Sequence, residues 1–288
     1  MDGTSNHNHA AAATTVVAGF PALHRRPSKA QGAAAPVLFL HGAFADEHCF
    51  AGWVQQFAEE GYEAYAPARR GRHGVGPTDA AGLTFDDYLA DTNQVIDELG
   101  EAPIVVGHSL GGLLAQRLAE QGRTRAIVLI ASAPPGVLTA QAVALPRFLP
   151  KMARIMTGRP FVVGNDACSV LALNAVPEDE RPAILAHLTA ESGRVYRSLL
   201  LGTIRIDASK VSVPVFVAGG DQDRIISNRL LVNTARRYHA APHVYPGHGH
   251  WIIQEPGWET LARDILTWLR GLHLSTGSHS QIMTDAQR

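Results

Sequence analysis

In this chain of 288 residues, one run combines residue types and spacing suited to covalent chemistry: Gly107-His108-Ser109-Leu110-Gly111-Gly112. A serine hydroxyl attacks a carbonyl only when it projects clear of the fold and a base stands ready to take its proton. The G-x-S-x-G spacing provides that projection where a strand turns sharply into a helix. Apolar Ile104-Val105-Val106 precede the run, and a helix-like stretch, 110–121, follows it. Gly107 and Gly111 remove the side chains that would collide where strand and helix approach. Ser109 is thus the candidate nucleophile, and its chemistry would be acyl transfer. A glycine-rich packing turn with an incidental serine has the same spelling, so the weight falls on what else the chain supplies.

With its strand–turn–helix context, the run resembles the nucleophile elbow of the α/β-hydrolase fold superfamily, and the likeness extends over residues from about 14 to 271. Leu40-His41-Gly42-Ala43-Phe44 follows an apolar strand, as the oxyanion-hole loop does in that superfamily. The resemblance implies that the N–H groups of Leu110 and Ala43, with Phe44 as the alternative to Ala43, face a developing oxyanion. After the apolar run 213–218 comes Gly219-Gly220-Asp221-Gln222-Asp223-Arg224-Ile225, similar to the family's G-x-x-D-x-I/V pattern. Counting from Gly220 places the acid at Asp223, with Asp221 as runner-up and Asp207 a more distant third. Gly249-His250-Trp251 resembles the family's closing G-H-W, which implies that His250 is the base, against His248. Histidine suits that task because its ordinary pKa lies near neutrality. The order Ser109, Asp223, His250 is the order this superfamily uses. A serine at the elbow sets the chain apart from haloalkane dehalogenases and most epoxide hydrolases of this fold, which use aspartate there.

Such residues must be held by a sheet. Continuous apolar runs at 36–40, 104–106, 126–130 and 213–218, with weaker ones at 62–66 and 243–245, read as strands covered on both faces. Helix-like segments alternate with them at 84–99, 110–121 and 256–270. Thr84 followed by Asp87 marks one helix start, and Pro256 and Gly271 bracket another. The expectation is a doubly wound, mostly parallel α/β sheet. Residues 134–210 break the rhythm with short helix-like pieces, 178–191 and 192–202 among them, and read as an inserted helical cap. The core is then 14–133 with 211–271, and the polar ends 1–13 and 272–288 read as disordered tails. Leu145, Phe148, Leu149, Met152, Ile155, Met156 and Phe161 recur at spacings of three and four. Most should form the cap's own core. Phe148, Met152 and Met156 are expected to share a substrate pocket with Phe44 and Trp251.

Composition narrows the remaining classes. Lys and Arg total 25 against 26 Asp and Glu, so no clustered positive field suggests a nucleic-acid partner. Cys49 and Cys168 cannot build a disulfide framework or a cysteine zinc site. H-E-x-x-H is absent, His7 and His9 lie in a tail, and His248-x-His250 has no carboxylate pattern beside it, so no metal is expected. No phosphate-binding glycine loop follows a strand. Gly71 to Gly76, with Pro77 where the family has a serine, reads as structural. The uncharged run 126–146 is broken by Pro134-Pro135-Gly136, leaving no membrane span. No signal peptide is read at the start, and a cytoplasmic location is the default. The expected function is cofactor-free cleavage of small to medium, largely apolar carboxylic esters through a Ser-His-Asp triad and an acyl-enzyme. Carbon–carbon bond hydrolase, lactonase and perhydrolase are the alternatives, then a small-molecule receptor. Oligomeric state stays open.

Overall fold

The chain enters its sheet through a hairpin that the apolar runs do not announce. Strands β1 (Ala13–Val17) and β2 (Phe20–Arg25) pair antiparallel, and β2 pairs antiparallel with β4 (Ala64–Pro67). Antiparallel strands of this kind can face water on one side, so they lack the unbroken hydrophobicity of a covered strand. Only Ala22 and Leu23 of β2 are buried. The computed structural model describes residues 13–28, 35–71, 80–138 and 141–272. The tails expected to be disordered, and the loop from Arg72 to Pro77, lie outside these residues but for Ala13 and Leu272.

Beyond the hairpin every pairing is parallel: β3 (Val37–Leu40), β5 (Ile104–His108), β6 (Ala126–Ile130), β7 (Val215–Gly220) and β8 (Pro242–Tyr245). The eight strands lie in the order β1-β2-β4-β3-β5-β6-β7-β8. Side chains alternate between two cores. Val37, Phe39 and Val106 pack with Trp53 and Phe57 of α1 (Ala51–Glu59) and Ile265 of α10 (Trp258–Gly271). Leu38, Leu40 and Val105 pack on the other face. Their partners there include Tyr88 of α2 (Phe85–Leu99), Leu113 of α3 (Leu110–Glu120) and Leu231 of α9 (Asn228–Arg237). A doubly wound sheet covered on both faces explains the continuous apolar runs.

Helix α2 begins where Thr84 and Asp87 predict. Thr84 Oγ1 accepts from the Asp87 N–H at 3.2 Å, and Asp87 accepts from the Thr84 N–H at 2.8 Å. Between β6 and β7 lies the helical cap. Its described helices are α4 (Leu145–Phe148), α5 (Met152–Thr157), α6 (Asn165–Leu171), α7 (Arg181–Leu185) and α8 (Gly193–Leu201).

Two expectations for this region fail. The helix expected over 178–191 is cut to α7, because the chain beyond it turns its amides outward. Thr189 N–H donates to the Phe44 carbonyl at 2.7 Å, and Glu191 N–H to Phe161 at 2.9 Å, rather than to carbonyls one turn back. The apolar stripe likewise does not become a cap core. A 3₁₀ turn at Leu149–Lys151 shifts the helical phase. Leu149 is 70% exposed and Leu145 60%, while Ile155 and Phe161 are buried.

Candidate active site

Strand β5 ends at His108 and α3 starts at Leu110, which leaves Ser109 alone to make the turn. Its φ of 53° and ψ of −115° are strained for a residue with a Cβ. Backbone hydrogen bonds hold it there, one of them from the Leu113 N–H to its carbonyl at 3.3 Å. The Ser109 N–H donates to Ile130 at 3.0 Å, and the Ser109 carbonyl accepts from Gly112 and Ala133, both at 3.0 Å. A Cβ on Gly111 would collide with the Leu40 carbonyl, so α3 can start this close to β3 only without one.

The loop after β8 brings His250 to this serine. His250 Nε2 lies 3.1 Å from Ser109 Oγ, and Nδ1 lies 2.9 Å from Asp223 Oδ2. The carboxylate can only accept, so Nδ1 carries the proton and Nε2 offers its lone pair to the hydroxyl. The other oxygen of Asp223 accepts from the Ile225 and Ile226 N–H groups at 2.7 and 2.8 Å, which fixes the carboxylate. The runners-up point elsewhere. Asp221 is exposed and accepts from the Gly247 N–H at 2.8 Å. His248 pairs with buried Glu255 at 3.0 Å. Asp207 caps the 3₁₀ turn Ala208–Lys210 on the surface.

Two loops bring amides toward the serine. Leu110 is the first residue of α3, so its N–H has no acceptor within the helix. Gly42 packs against Ser109: a Cβ there would stand 3.1 Å from Ser109 Cβ. Ala43 and Phe44 follow directly, and both line the cavity that Ser109 and His250 face. Buried Arg69 braces this loop from behind, donating to the carbonyls of His41, at 2.9 Å, and Gly42.

That cavity encloses about 670 Å³ when the solvent in its open mouth is included. Phe44, Phe148 and Trp251 line it, together with Leu138, Leu171 and Tyr196. The Phe148 and Tyr196 rings stack with centroids 5.4 Å apart. Burial pushes the Cys168 thiol, also on the wall, up to about 12, so it stays protonated. Met152 and Met156, expected beside Phe148, do not line the cavity. Helix α5 buries Ile155 instead, and Met156 is 46% exposed on its other side.

Residues 37–263 match the alpha/beta hydrolase family. The chain belongs to that family. Among curated relatives, the chain is similar to the non-heme chloroperoxidase CPO-A1 of Kitasatospora aureofaciens. The two are 26% identical over 263 residues, spanning 83% of this chain and 93% of the relative. It is also 27% identical over 248 residues to the monoacylglycerol lipase of Mycolicibacterium smegmatis, spanning 81% and 87%. Among solved structures, a soluble variant of the monoglyceride lipase from Saccharomyces cerevisiae superposes with a TM-score of 0.71. That match has 16% identity and covers 92% of this chain and 96% of the other.

In this alpha/beta hydrolase, sequence reasoning passed over three residues that hold the site. His108 donates from Nε2 to the His250 carbonyl at 2.8 Å, and burial lowers its pKa to about 3, so it stays neutral. Glu255 accepts from the Gly249 N–H at 2.9 Å and so braces the loop that bears His250. Burial raises the Glu255 pKa. Arg69 is the third. His108 occupied the variable position of a motif read only for its glycines and serine. Arg69 and Glu255 had no local pattern, because their partners are remote in sequence or are backbone groups. No helix among the described residues is long and apolar enough to cross a membrane.

Proposed function

We propose that this chain is a serine hydrolase of carboxylic esters with small to medium, largely apolar acyl or alcohol groups. One observation carries the reading: an unbroken hydrogen-bond chain from Ser109 through His250 to Asp223, opening on an apolar cavity. Ser109 Oγ attacks the ester carbonyl while His250 Nε2 takes its proton. The carbonyl oxygen, now negative, is met by the N–H groups of Leu110 and Ala43. Collapse expels the alcohol, which receives the proton from His250. Water then gives its proton to His250 and attacks the acyl carbon, and the proton returns to Ser109 as the acid leaves. Asp223 holds the imidazole in one tautomer and stabilises the imidazolium. Nothing in this cycle uses a metal or an organic cofactor.

A fluorophosphonate probe tests nucleophile and reaction class together. The expected result is labelling of one peptide, at Ser109, that parallels loss of p-nitrophenyl ester hydrolysis. An unlabelled protein, or a label on another residue, overturns the reading. Similarity to a chloroperoxidase favours one second reading, in which hydrogen peroxide replaces water at the acyl-enzyme and a peracid leaves. Halogenation of an acceptor that needs both a carboxylic acid and peroxide, and that stops in Ser109→Ala, would identify it.

A further inference from the structure

Just past the oxyanion loop, three side chains from two separate parts of the chain converge. Asp46 and His48 follow Phe44, while His187 comes from the cap, beyond α7. The Asp46 carboxylate stands between the imidazoles. His187 Nδ1 lies 3.1 Å from its Oδ2, and His48 Nδ1 lies 3.4 Å from its Oδ1. The two rings lie face to face at a tilt of 32°, centroids 4.9 Å apart. One donor atom from each residue falls within 4.8 Å of the others. Around a divalent ion bound at about 2.0–2.2 Å, tetrahedral donors lie roughly 3.4 Å apart. The two carboxylate–imidazole distances run to different oxygens of Asp46 and are of that size, so a small closing of the three donors would complete the shell.

We propose that Asp46, His48 and His187 form a binding site for one divalent cation of the zinc class, joining the cap to the oxyanion loop. Two imidazoles and one carboxylate are the donor set that zinc, cobalt and nickel share, and magnesium and calcium disfavour it. Asp46 is mostly buried and held by the His48 N–H at 3.0 Å, so the anionic donor is fixed in advance. His187 is 55% exposed at its side chain while His48 Nδ1 faces inward, so an ion would enter from the His187 side and keep water in its open positions. Glu47, whose Oε1 lies 3.6 Å from His48 Nδ1, adds negative charge beside the site. The placement is mechanical. Thr189, two residues past His187, bonds to the Phe44 carbonyl, two residues before Asp46. An ion here would reinforce a junction that already exists, and it touches none of the groups that attack the ester.

Calorimetric titration of the chelator-treated full-length protein with zinc chloride tests the site, with cobalt absorption as a second reading of the donor set. The expected result is one equivalent of zinc bound at the site and a melting temperature a few degrees higher. His187→Ala and His48→Ala should each bind at least tenfold more weakly and lose the thermal shift, since even outer-shell losses cost 10- to 100-fold. Both positions are on the surface, so unchanged circular dichroism will show that the variants fold. A His7→Ala/His9→Ala variant, which alters the other close histidine pair near the chain start, should bind as the parent does. Absence of zinc binding to the parent, or full binding by His187→Ala, overturns the site and leaves only the hydrogen bond between His187 and Asp46.

Discussion

At the scale of single residues, the proposed site should work as a relay whose members fail together. Ser109→Ala should remove ester turnover without unfolding the chain, because the turn is held by backbone bonds that alanine keeps. Adding His250→Ala should cost almost nothing more, since the two act as one unit. A double variant far worse than either single one would mean that the residues act separately. The acid gives a sharper contrast. Asp223→Asn should lower kcat by about 10³ to 10⁴, because the amide lets the imidazole turn to the wrong tautomer. Asp221→Asn, whose carboxylate only braces Gly247, should cost little. The reverse ranking of the two kcat values would move the acid to Asp221. The convergence of Ser109, Asp223 and His250 was legible from sequence, because the G-x-S-x-G run and a closing G-H-W are local spellings. His108, Arg69 and Glu255 were not, since each acts through a partner's backbone.

At the scale of elements, legibility followed locality. Helix α2 could be read to the residue because Thr84 and Asp87 cap it within one turn. The β1–β2 hairpin escaped because its strands are half exposed, and α7 came out short because Thr189 and Glu191 spend their amides on other segments. The cap stripe misled for a related reason: Leu149–Lys151 changes helical phase, so spacing no longer predicts a shared face. Substrate choice should follow the structure rather than that spacing. Phe148→Ala opens the wall beside Tyr196 and should shift the preference among p-nitrophenyl esters toward longer acyl chains, by several-fold in kcat/KM. Met156→Ala should leave the ranking unchanged. Equal behaviour of the two variants would place the acyl pocket somewhere other than the cavity above Ser109.

At the scale of the whole molecule, a buried neutral histidine ties stability to pH. The folded pKa of His108 is about 3, against about 6.5 in an unfolded chain. Between those values the unfolded chain binds the extra proton. The stabilisation is therefore fully present above pH 6.5 and is lost progressively as pH falls toward 3. His108→Gln can still donate to the His250 carbonyl but cannot titrate. Urea midpoints taken from pH 7 to pH 4 should fall less steeply in this variant than in the parent. Identical slopes would show that His108 is solvated in the folded protein. The two-faced sheet was legible from its unbroken apolar strands, whereas the buried ring that sets this acid limit looked like a spacer in a motif.

Three of the bonds between the cap and the loops beneath it end on main-chain oxygens. Gln141 donates to Asp223, Asn174 to Gln222 and Thr189 to Phe44. A carbonyl is there whichever amino acid occupies the position, so drift at Gln222 or Phe44 leaves the fastening in place. The cap is thereby a cassette with nearly universal sockets. Substitution of Gln222 should accordingly leave the Asn174 bond, and the cap's seat, intact.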